Sequence, residues 1–156
     1  MIKETWDQTI ASYKYNEHLL FGSTKAFVDL STLHPDTVHI FRLWQIYLDN
    51  VNPLLKVTHT PSLQGRIIES ASNIASIDPN LEALMFSIYC MSILSLRSES
   101  CQTIFGVSQP DLLTKFQFGC EQALLKCDFL KTNSRDCLTA LYLYLVSSRN
   151  PFLYES

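Results

Sequence analysis

From residue 34 onward the apolar side chains recur at intervals of three and four, and the runs are separated by joints built on proline, glycine or capping residues. No stretch of useful length alternates at period two, so strands are excluded and the pattern predicts helices throughout. The first helix opens at His34-Pro35-Asp36, where proline suits the first helical position and an acidic side chain suits the positive end of the dipole. It extends to about Val51 and is stopped by Asn52-Pro53. Ile40, Leu43, Trp44 and Tyr47 share one face, and Phe41 and Leu48 a second. Two apolar faces predict contact from both sides, which makes 33–64 the stretch around which the later helices assemble.

The remaining runs follow in order. Residues 54–59 form a connector, and Thr60-Pro61 reads as N-cap and first residue of a second helix. Its stripe is Leu63, Ile67, Ile68, Ala71, Ile74 and Ala75. Asp78-Pro79 starts a third helix, to about Arg97, in which Leu81, Leu84, Met85, Ile88, Tyr89, Met91 and Leu94 leave few polar positions. It is predicted to be the most buried helix. Residues 98–106 read as a short connector with room for one turn of helix, closed by Gly106. Ser108 with Asp111 resembles a capping box for a fourth helix, 109–130, with Leu112, Leu113, Phe116, Cys120, Ala123, Leu124 and Cys127 inward. Asn133 with Asp136 opens a fifth, 134–148, which ends at Asn150-Pro151. Before all of these, Trp6, Ile10 and Tyr13 space as a short amphipathic helix within an extension, 1–18, and 19–33 reads as a loop over the core. The expected fold is all-α: a single compact bundle of about five to six helices within 19–156.

Charge and cysteine usage narrow the function classes. Twelve Lys+Arg are scattered among fifteen Asp+Glu, giving a net charge of −3, and no window holds the basic stripe that a phosphate-gripping protein needs. Direct nucleic-acid contact by this chain is therefore not expected. Five cysteines at 90, 101, 120, 127 and 137 form no C-x-x-C pair, and they read as buried small hydrophobes of a reducing compartment. The N-terminus has no apolar signal-peptide core, and the apolar stretch 81–96 is interrupted by Glu82 and serines, as suits a core helix rather than a membrane span. The expected location is intracellular, nuclear or cytoplasmic.

Chemistry-bearing residues are sparse. His34, His39 and His59 with Asp36 contain no pair of imidazoles at H-x-x-x-H spacing, so no metal site is expected and His34 and His39 read as helix-terminal or surface residues. Cys120-x6-Cys127-x9-Cys137 fits part of a binuclear zinc-cluster spacing but lacks the two C-x2-C pairs, and Cys120 and Cys127 fall on one core stripe. There is no nucleophile elbow, no phosphate-binding glycine loop and no nucleotide motif, and no cofactor is expected. Polar residues inside apolar helices remain: Arg42, Gln45, Glu82, Tyr89 and Tyr142. A buried Arg or Glu requires a partner, so these read as structural ion pairs or as the lining of a small-molecule pocket.

The stretch LHPDTVHIFRLWQIYLDNVNPLLKVTHTPSLQ resembles the opening of the middle homology region of fungal zinc binuclear-cluster transcription factors. The resemblance continues through LEALMFSIYCMSILSL, LLTKFQFGCEQALL and RDCLTALYLYLVSSR, and covers about 19–149. It implies the first half of a helical regulatory domain that sets a regulator's activity, often for a metabolic or secondary-metabolite gene cluster, sometimes by sensing an effector. The family's six-cysteine DNA-binding cluster is absent, and RNPFLYES does not resemble the further helices of family members. The chain thus reads as a fragment, a truncated gene product or a small protein derived from such a regulator.

Two functions follow. One is a regulatory-domain-like protein acting by effector or protein binding without DNA contact of its own. Its partners would be a protein or a second copy, through surface left by the missing half, or a small hydrophobic metabolite held by Trp44, Tyr47 and Tyr142. The other is a small cofactor-free enzyme, of cyclase or isomerase type, from a biosynthetic cluster, with His39, Arg42, Glu82 and Tyr89 as acid-base candidates.

Overall fold

A computed structural model describes residues 28–149; the extension 1–18 and its expected helix lie outside them. Among the described residues there are six α-helices and no strand: α1 (Thr37–Ile46), α2 (Thr60–Ala71), α3 (Pro79–Leu94), α4 (Ser98–Phe105), α5 (Gln109–Lys126) and α6 (Arg135–Ser148). Short 3-10 turns at Leu30–Thr32 and Ile74–Ser76 flank α1 and follow α2.

Local chemistry explains the starts. Asp36, Asp78, Ser108 and Ser134 each turn a side-chain oxygen onto a backbone N–H of the first turn, namely those of His39, Leu81, Asp111 and Cys137. Each satisfies a donor that the helix itself cannot. The caps correct three expected boundaries by a residue or two. Pro35 precedes the cap of α1 instead of occupying its first turn, His59 rather than Thr60 caps α2, and Ser134 rather than Asn133 caps α6. α1 widens at its end into a turn, Tyr47–Val51, closed by Asn52 N–H on the carbonyl of Tyr47 at 2.9 Å. α5 stops at Lys126, four residues short of expectation, because Asp128 takes a left-handed conformation, φ +52°, that reverses the chain.

α3 is the axis. Every residue from Leu81 to Ile93 is buried, as the sequence predicts. α5 and α6 pack along it, and α1 with its wide turn covers another side. Its two interior serines return their hydroxyls to the backbone: Ser87 to Leu84 O at 2.7 Å, while Ser92 lies 2.8 Å from both Ile88 O and Leu43 O. The second contact ties α3 to α1. α5 approaches α3 so closely that a Cβ on Gly119 would sit 2.6 Å from the Phe86 ring.

The expected central role of 33–64 is overturned. Ile40, Leu43, Trp44 and Tyr47 are buried, but Phe41 on the second face is 38 % exposed and Val38 is 74 % exposed. Leu48, the other residue of that second face, packs partly buried against the core, but the exposed Val38 and Phe41 leave α1 an outer helix, and such apolar residues on a solvent side need no second contact. In α2 the stripe ends at Ala71: Ile68 is half exposed, and Ala75 lies beyond the helix on the surface. Residues 98–105, expected as a connector with at most one helical turn, form a two-turn helix that ends on Gly106 in a left-handed conformation, φ +71°.

Candidate functional site

Two places concentrate polar chemistry, one sealed and one open. The sealed one is at the start of α3. His34, from the segment entering α1, sets Nδ1 3.0 Å from the Tyr89 hydroxyl and Nε2 3.0 Å from Glu82 Oε2. With Tyr89 O–H donating to Nδ1 and Nε2–H donating to the carboxylate, one neutral tautomer satisfies all three groups. Lys126 Nζ, half exposed at the end of α5, lies 3.9 Å from Glu82 Oε1 and supplies the countercharge. The imidazole is also packed by rings, with centroids 4.4 Å from Phe86 and 5.7 Å from Tyr89. Burial, reinforced by the charge on Glu82, pushes the Tyr89 phenol well above its ordinary value. The His34 side chain is 1 % exposed and that of Glu82 is 5 % exposed.

This corrects the reading of His34 as a surface or helix-terminal residue; it is the buried bridge between two polar residues of α3. It also sorts the acid-base candidates. Glu82 and Tyr89 meet at His34, whereas His39 is half buried beside Asp36 Oδ1 (3.5 Å) and the Phe105 ring, and Arg42 is exposed. The four do not converge on a common point.

The open place lies between the connector after α1 and the outer side of α6. A shallow, largely apolar recess of about 330 Å³ is walled by Val57, Asn133, Arg135, Leu138, Thr139 and Tyr142. It adjoins a smaller, more polar one of about 140 Å³ that includes His59, Ser62, Arg66 and Asp136. There Arg66 grips Asp136 with both guanidinium nitrogens, Nη1 on Oδ1 at 3.2 Å and Nη2 on Oδ2 at 2.5 Å. This hydrogen bonding holds the Arg66 guanidinium above its ordinary value. Beyond the recess, Leu138, Tyr142 and Leu145 fall at i, i+4 and i+7, and each is at least 37 % exposed. Of the expected ligand residues only Tyr142 is here. Trp44 and Tyr47 are core residues stacked at 5.6 Å; Trp44 Nε1 donates to Gln64 Oε1, and the Tyr47 hydroxyl is 3.5 Å from Thr58 Oγ1. Among the described residues, no group of three or more His, Cys, Asp or Glu side chains is arranged to hold a metal ion.

The chain is 59 % identical over 149 residues to the transcriptional regulator AacuB of Aspergillus aculeatus, covering 96 % of this chain and 20 % of that protein. This segment belongs to the fungal cluster transcription factors. It is 48 % identical to the transcriptional regulator nsrM of Aspergillus novofumigatus, over 94 % of this chain and 21 % of that one. It is 41 % identical to the pyriculol/pyriculariol biosynthesis cluster transcription factor 1 of Pyricularia oryzae, over 85 % of this chain and 18 % of that one. The chain thus spans about a fifth of the length of the curated relatives it matches. No family model and no solved structure matches it. No described helix is long and apolar enough to cross a membrane.

Proposed function

We propose that this chain is a regulatory-region module of a secondary-metabolism regulator, which works by binding protein and makes no DNA contact of its own. The observation that carries this reading is the exposed Leu138–Tyr142–Leu145 stripe beside the apolar recess of α6. A helix whose apolar residues face water at that spacing is half of a helix–helix contact. The occupant we assign is helical chain of a cluster transcription factor, because the relatives carry about four times more sequence than this segment matches. The mildly acidic, unclustered charge supports the absence of phosphate gripping. Such a protein works in the nucleus or cytoplasm of a fungal cell.

The test is a titration of the purified chain with the unmatched part of the AacuB sequence, made as a separate polypeptide and followed by calorimetry. Saturable binding is expected, with a loss of at least about tenfold in affinity for Leu138→Glu with Tyr142→Glu, since burying two unpaired charges costs well over 1.4 kcal/mol. Binding that ignores these substitutions, or no binding at all, would overturn the reading. Binding that requires an added hydrophobic metabolite would move the function to effector sensing.

A further inference from the structure

At the junction of α5 and α6, Cys127 Sγ and Cys137 Sγ lie 3.1 Å apart, both as free thiols. That is closer than unbonded sulfurs ordinarily sit and about 1 Å from the separation in a disulfide. The two differ in access. Cys137 is fully buried on the inner side of α6, whereas Cys127, the C-terminal cap of α5, is only partly buried. Cys127 is also placed where backbone can yield, since it is followed by the left-handed Asp128 and an irregular turn to Ser134. Cys90 and Cys120, by contrast, sit fully buried in mid-helix on α3 and α5, and Cys101 is buried on α4.

We propose that Cys127 and Cys137 form a reversible dithiol–disulfide modification site, which takes low-molecular-weight disulfides as oxidant and clamps the end of α5 to the start of α6. The Cys127 thiolate attacks one sulfur of the small disulfide, forming a mixed disulfide and expelling one small thiolate. The Cys137 thiolate then attacks Cys127 Sγ, forming the internal bond and expelling the second. The two cysteine protons end on the two released thiols, and two electrons pass from the protein to the oxidant. Burial, with the neighbouring Cys137, pushes the Cys127 thiol up to about 12. The entry step is therefore slow at neutral pH and accelerates about tenfold per pH unit. A reducing compartment keeps the pair open, and an oxidative excursion closes it. This site does not depend on the binding reading above.

Peptide mapping decides it. The intact chain is equilibrated at pH 8 with an excess of oxidised glutathione, quenched in acid and digested with trypsin without reduction. The expected product joins the tryptic peptides 127–131 and 136–149, with a loss of about 2 Da in the intact mass for the two hydrogens removed. Cys137→Ser should instead trap one glutathione on Cys127, and Cys127→Ser should trap none. A pair that stays reduced, a link to Cys90, Cys101 or Cys120, or glutathione accumulating equally on both serine variants would each overturn the proposal.

Discussion

Two carboxylate contacts among the described residues are built from similar parts and set in opposite surroundings. Glu82 is held by His34 inside the bundle, among rings and within reach of a single lysine at the rim. Asp136 is held by Arg66 outside it, with a better fork and more water. The outer pair has the stronger geometry, yet the inner one matters more to folding. Inside, each group depends on the others for its hydrogen bonds; outside, water replaces any partner that is lost.

Substitutions can break that contrast. His34→Ala strips the acceptor from the Tyr89 hydroxyl and the donor from Glu82 at once, so it should cost about 3–5 kcal/mol in urea unfolding. A cost below about 1 kcal/mol would show that water enters and that the inner cluster is not sealed. Gly119→Ala probes the same interior without charge. The new methyl meets the fully buried Phe86 ring, and a loss of about 1–3 kcal/mol is expected. The smallest effect belongs to the outer pair. A double-mutant cycle on Arg66→Ala and Asp136→Ala should return a coupling of about 0.2–1 kcal/mol that shrinks as salt is added. A coupling near that of the inner pair would make the recess wall a structural element rather than a surface contact.

What could be read from sequence was local. Asp36, Asp78 and Ser108 announce helix starts because a cap acts within three residues, and the run of apolar residues in α3 leaves no side for water. The misreadings have equally physical causes. Phe41 looked like a second packing face because apolar residues on a solvent side carry no mark in sequence. The helix at 98–105 was hidden because its largely polar SESCQTIF buries only Cys101 fully. His34 could not be placed because its two partners are 48 and 55 positions away, so only the packed bundle brings them together. The cysteine spacing 127 to 137 was visible, but its meaning depended on α5 stopping at Lys126, which a single left-handed aspartate decides.

The burial of α3 on every side has a consequence for synthesis. Thirteen consecutive residues need partners, and most of those partners, α5 and α6, are encoded after it. At about 5–20 residues per second, a ribosome leaves this greasy segment without its cover for roughly 3–11 s after Ile93 is added. α1 can shelter one side in that interval, through the Ser92 hydroxyl on Leu43. The rest must be shielded by the exit tunnel or by a chaperone until α6 arrives.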